Sequence, residues 1–207
     1  MAIQFALLLP AIVIHEVSHG WVAYLLGDPT AKDRGRLSAN PLRHIDPWGT
    51  LLLPALLLAF SGGRAAFGYA KPVPINPHNF KDYRRGMFLT GIAGPTSNLL
   101  LALLAGLVVR TFGLTSWVML GIYYFTLVNL TLLFFNLIPI PPLDGSRVLP
   151  LFLSDRAMQT YHQAEQYGFV ILLAVLWIVP SVFHVDPIGA YLGATVERLM
   201  PLLTGVS

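Results

Sequence analysis

The chain has 207 residues, 55% hydrophobic and only 11% charged, with a net charge of +3 and a mean hydropathy of +0.65. Soluble domains carry about 25% charged residues, so this balance excludes an ordinary soluble protein and implies an integral membrane protein. With no cysteine, disulfides and thiolate chemistry are excluded, and the few cations read as membrane flanks with no call for nucleic acid as a partner.

The first apolar run, residues 2–26, spans about 36 Å as a helix, enough to cross a bilayer. It has no basic leader and no cleavage site before His15, so removal of a signal peptide is not expected. Inside the run lies His15-Glu16-Val17-Ser18-His19. On a helix, histidines four apart share a face and can converge on one metal ion, while the glutamate between them can take a proton from an activated water. An ionisable group at membrane depth costs roughly 2.5–3.5 kcal/mol on insertion scales, so this cluster calls for a functional reason.

A polar stretch, residues 27–46, follows. Residues 48–61 are apolar but short and contain Pro54, which suits a re-entrant or interfacial segment better than a span. Residues 66–76 alternate and are spaced by prolines, predicting an edge strand or small hairpin. Longer apolar segments cover 87–109, 116–138 and 167–183, and 187–203 is either a short further span or an interfacial helix. The predicted fold is an all-α membrane bundle of about four to six spans with a re-entrant segment and a small membrane-associated β-hairpin. It forms a single membrane-embedded domain over 1–207, with a core to about residue 150 and C-terminal helices over about 160–203. Nine of the 13 Lys and Arg residues fall between Lys32 and Arg85, which predicts that this region is cytoplasmic and that the first helix runs inward. The chain is therefore expected to be a multi-pass inner-membrane protein with its site toward the cytoplasm.

Two histidines do not complete a zinc site. Val22 and Leu25 stand where an extended HExxHxxGxxH pattern needs Gly and His, and only Glu165 and Glu197 follow Glu16 as glutamate ligands. Asp144 is the best third candidate. It follows Pro139, Pro141 and Pro142, which end the 116–138 helix and leave irregular backbone of the kind tolerated at membrane depth only in protein or beside a wet cavity. His44 and Asp46 compete with it, with loop structuring as their simpler role.

His15 to His19, Gly94-Pro95-Thr96-Ser97-Asn98, and the run from Asn136 through Pro139, Pro141 and Leu143 to Asp144-Gly145 together resemble the site-2 proteases in motif and in order. Residues 35–41 and 68–74 are similar to a short bacterial branch of that family that has neither a PDZ nor a CBS domain. The position two before His15, often phenylalanine in the family, is Val13 here. The resemblance implies an intramembrane zinc metalloprotease that cuts transmembrane or membrane-adjacent segments of other membrane proteins. One zinc ion per chain would be held by His15, His19 and Asp144. Glu16 would be the general base, and Asn98 and Asn136 would support the substrate or the oxyanion. Gly68, Tyr69 and Ala70 are the expected substrate-binding edge. The competing class is a catalytically silent zinc-binding scaffold or metal carrier. Against it, Glu16 is dispensable for metal binding yet present, and no second set of acidic or histidine residues lines the other spans.

Overall fold

The computed structural model describes residues 2–52, 55–56, 59, 68 and 70–206, with the backbone only for residues 2–6 and 51. Six helices carry the architecture: α1 (Ala2–Leu25), α2 (Tyr83–Phe112), α3 (Trp117–Asn136), α4 (Asp155–Glu165), α5 (Gly168–Phe183) and α6 (Pro187–Thr204). Side-chain caps set several of the starts. Asp82 accepts the amide of Arg85, Ser116 that of Met119, Ser154 that of Ala157 and Asp186 that of Gly189, each satisfying a donor the first turn would otherwise leave free.

α2 is the central post and packs against α1, α3 and α6. Gly86, Thr90, Gly94, Asn98 and Ala102 recur every fourth residue and are all buried. Residues at this spacing share one helix face, and small side chains let neighbouring backbones approach in a setting where lipid supplies no hydrophobic drive. Leu100, Leu103, Leu104 and Leu107 are exposed on other faces, as lipid contact requires. Ala102, Leu130, Leu133, Val196 and Met200 form the core shared by α2, α3 and α6. A second cluster, Leu143, Leu172 and Ile188, ties the loop after α3 to α5 and α6.

Among the described residues, three helices are long and apolar enough to cross a membrane, ending at Leu25, Phe112 and Asn136, or up to four if α4 and α5, bent by 66°, count as one span. This lowers the expected four to six. The expected span over 167–183 is too short alone and reaches span length only with the bent α4, while Glu197 and Arg198 lower the hydropathy of the 187–203 segment in α6. The expected re-entrant segment lies outside the described residues beyond Leu52, apart from 55, 56 and 59, and begins as a single wide turn over Pro47–Leu52.

No strand forms among the described residues of the expected hairpin, and residues 66, 67 and 69 lie outside them. Pro72 and Pro74 have no amide to donate, and the neighbouring amides are used elsewhere. Lys71 N–H donates to the His44 carbonyl and Val73 N–H to the Glu16 carboxylate. Its described residues are strapped to the bundle instead of paired with a second strand.

Candidate metal centre

The four-residue spacing on α1 brings the two imidazoles together, with ring centroids 4.6 Å apart at an interplanar angle of 83°. Asp144 arrives from the opposite side. α3 stops at Asn136, the proline-rich turn reverses the chain, and Asp144 opens a tight helical stretch, Asp144–Leu151. Two contacts hold that stretch: Ser146 N–H and Oγ–H both donate to the Leu143 carbonyl, and the Tyr161 hydroxyl of α4 donates to the Ser146 carbonyl. Gly145 lies so close to the Leu137 carbonyl that any side chain there would collide with it.

His15 Nε2, His19 Nε2 and Asp144 Oδ2 form a triangle with all three sides 3.0 Å, and the three residues are at most 5% exposed. The outer ring nitrogens decide what these inner atoms carry. His19 Nδ1 lies 2.6 Å from the Thr90 carbonyl, which can only accept, so Nδ1 carries a proton and, in the neutral imidazole, Nε2 presents a lone pair. His15 Nδ1 lies 2.5 Å from Asn98 Oδ1 with the same consequence. With both imidazoles neutral, three lone pairs converge, the arrangement that a cation between them would bridge. Bonds of roughly 2.0–2.2 Å from nitrogen and oxygen to zinc fit a triangle of this size, and three protein ligands with a free side are the catalytic form of a zinc site. The donor set fits zinc.

α2 backs directly onto the pair. A Cβ on Gly94 would collide with His19 Nε2 and the His15 ring, so only glycine allows the approach. Arg147 Nη1 lies 3.3 Å from Asp144 Oδ1, the oxygen turned away from the triangle. That contact favours presentation of a single oxygen to the metal.

The triangle opens onto a cavity of about 430 Å³ walled by α1, Gly68, the 70–73 strap, α3, the 142–147 turn and the start of α5. Glu16 lines it, and its Oε2 accepts the Val73 amide at 3.0 Å. Asn136 lines it too, with Nδ2 donating to the Leu132 carbonyl at 3.0 Å. So do Gly68 and Ala70, whereas Tyr69 lies outside the described residues. Asn98 is elsewhere: it has no exposed surface and stands behind His15, away from the cavity. His44 and Asp46 are also apart from the centre. His44 Nε2 donates to the Ser38 carbonyl, and Asp46 caps the Trp48 and Gly49 amides.

Four contributors were not singled out by the sequence as parts of the centre. Thr90 acts through its backbone, which no side-chain pattern reveals. Gly94 stood out only as the first residue of the Gly94–Asn98 motif, with no contact to the histidines assigned to it, and Arg147 only as a membrane-flank cation. Asn129 did carry a signal, being an amide in the middle of the third apolar run.

Known proteins similar to this chain are named as zinc metalloproteases. The family described as "Peptidase family M50" matches residues 112–179. A Bacillus subtilis protein named "Putative zinc metalloprotease YwhC" is 37% identical over 193 residues, covering 89% of this chain and 80% of that protein. Proteins named "Putative zinc metalloprotease Rip2" from Mycolicibacterium smegmatis and Mycobacterium tuberculosis are each 33% identical over 175 residues. The alignment covers 84% of this chain but 65% of each mycobacterial protein. No solved structure matches.

Proposed function

The chain belongs to the site-2 protease family, peptidase family M50, and from that premise we propose that it hydrolyses peptide bonds within or beside the transmembrane segments of other membrane proteins, as in regulated intramembrane proteolysis. The observation that carries this reading is the convergence of three potential ligand atoms, from His15, His19 and Asp144, beside Glu16 on the wall of a cavity between helices long and apolar enough to cross a membrane.

One zinc ion held by His15, His19 and Asp144 would supply the Lewis acidity that makes water a nucleophile near neutral pH. Glu16 is the general base. Its Oε2 is anchored by Val73 N–H, which leaves the other carboxylate oxygen to take the proton of the attacking water and later pass it to the departing amine. Asn136 uses one amide hydrogen on Leu132, and the second is a donor for the substrate carbonyl oxygen as negative charge develops there. A helical substrate has its amides paired and its carbonyls shielded, so it must unwind first. The backbone around Gly68, Tyr69 and Ala70 would then offer its groups to the unwound segment, in the manner of strand addition without a preformed sheet. The charge distribution favours a multi-pass protein of the inner membrane with the cavity toward the cytoplasm.

The test is cleavage of a panel of single-span substrates by the purified protein in lipid, beside Glu16→Gln, with zinc content measured on both. The expected result is about one zinc per chain in each and cleavage in the parent alone. Zinc bound in both with no cleavage of any substrate by the parent would favour a silent zinc-binding scaffold. Undiminished cleavage by Glu16→Gln would refute the assigned base.

A further inference from the structure

The buried amide of Asn129, in the middle of α3, has no place in the chemistry above. It has no exposed surface and lies in a helix long and apolar enough to span a membrane, where an unsatisfied amide is costly. Its Nδ2 donates to the Phe125 carbonyl at 2.8 Å, and its Oδ1 accepts from Asn98 Nδ2 at 2.9 Å. Asn98 Oδ1 in turn faces His15 Nδ1. The chain of contacts runs from a backbone carbonyl of α3, through two amides, to a ligand imidazole on α1.

This chain has one permitted direction. A carbonyl can only accept, so the Asn129 atom facing Phe125 must be nitrogen, and the atom facing Asn98 must be oxygen. Asn98 must then turn its nitrogen to Asn129 and its oxygen to His15. His15 is obliged to donate from Nδ1 and to present Nε2 unprotonated to the metal side. Without Asn129, nothing among the described contacts of Asn98 chooses between its two orientations. If reversed, Asn98 aims an N–H at His15 Nδ1, the ring proton moves to Nε2, and the ligand lone pair is lost. His19 needs no such device, because its Nδ1 faces a backbone carbonyl directly.

We infer that Asn129 is a positioning residue for the metal centre, fixing the orientation of Asn98 and through it the ring tautomer in which His15 binds zinc. The inference rests on the reading of His15, His19 and Asp144 as zinc ligands. The bland alternative is that Asn129 only tethers α3 to α2 by an interhelical hydrogen bond, worth about 1 kcal/mol wherever it occurs. The two differ in one respect: a tether is lost whatever stands at position 98, whereas an orienting amide matters only while residue 98 has two distinguishable ends. Aspartate at 98 has two oxygens, and either one accepts from His15.

The experiment is a four-member cycle of purified full-length proteins: parent, Asn129→Leu, Asn98→Asp, and the double variant, with zinc affinity read by competition against a chelator. Asn129→Leu is expected to weaken zinc binding roughly 10–100-fold, the range for loss of a group that orients a metal-bound imidazole. In the Asn98→Asp background a carboxylate oxygen faces Asn129 Oδ1, acceptor to acceptor, so the same substitution is expected to lower affinity by less than about threefold or to raise it. An equal loss in both backgrounds would reduce Asn129 to a tether and overturn the inference, as would no loss in either. A parent protein that binds no zinc would overturn the metal-site reading itself, and this inference with it. The double variant also controls for folding: if Asn129→Leu merely prevented the bundle from forming, the double variant would fail too.

Discussion

Two residues test how closely the centre is built. Gly94 is the point at which α2 touches both imidazoles, and the backbones on either side of it are helical and unable to yield. Overpacking of this kind typically costs 1–3 kcal/mol. Gly94→Ala is therefore expected to lower zinc affinity by about tenfold or more, measured by chelator competition, while helix content by circular dichroism stays within error of the parent. Asp28, just beyond α1, is the second. Burial pushes its carboxyl up, but hydrogen bonds from the Thr30 hydroxyl, the Asn79 side-chain amide and the backbone amides of Asn76 and Thr30 outweigh this and hold it below its ordinary value of 3.8. A depressed carboxyl contributes stability that is complete above its unfolded value and disappears as pH falls through the folded one. Thermal midpoints in detergent should thus fall below about pH 4 in the parent, and Asp28→Asn should flatten that limb while losing about 1–3 kcal/mol at neutral pH. At this scale, the proximity of His15 to His19 was legible from spacing alone, because a helix turns every 3.6 residues. The place of Asn98 was not. Whether an amide faces a cavity or the back of a histidine depends on how α2 rotates against α1, and the small residues around it fit either choice.

Among the elements, the apolar runs became helices close to where composition placed them, because a membrane setting leaves the backbone few other options. The strap was harder to read. Proline alternation fits an edge strand and an isolated extended segment equally well, and the two differ only in whether a partner strand exists. Here the partners of the strap are single groups: the His44 carbonyl, the Glu16 carboxylate and, by way of Asn76, Asp28. Its substrate-facing backbone can be disabled without touching those anchors. Gly68→Pro with Ala70→Pro is expected to slow cleavage of a single-span substrate at least tenfold with zinc content unchanged. Unchanged cleavage would remove the strap from substrate binding. The loop after α3 was more legible, since three closely spaced prolines cannot continue a helix and Asp144-Gly145 follows them at once.

For the whole molecule, the two apolar cores lie among α2, α3, α5, α6 and the loop after α3, and neither includes a proposed ligand. Removal of zinc by a chelator is accordingly expected to leave the helices intact while loosening the 139–153 turn, seen as faster proteolysis there with unchanged far-ultraviolet circular dichroism. The proposed substrate class rests on the same layout, because the cavity lies between α1, α3 and α5, which expose apolar side chains such as Leu9, Val118 and Val170. The central claim is that zinc and Glu16 at this cavity cut chains at membrane depth. Its most direct test is mass-spectrometric mapping of the cut made in a single-span substrate co-reconstituted with the purified protein in liposomes. The account predicts a scissile bond within or adjoining the transmembrane segment, absent with Glu16→Gln and with Asp144→Asn. Cuts confined to the soluble flanks, or persisting in either variant, would contradict it.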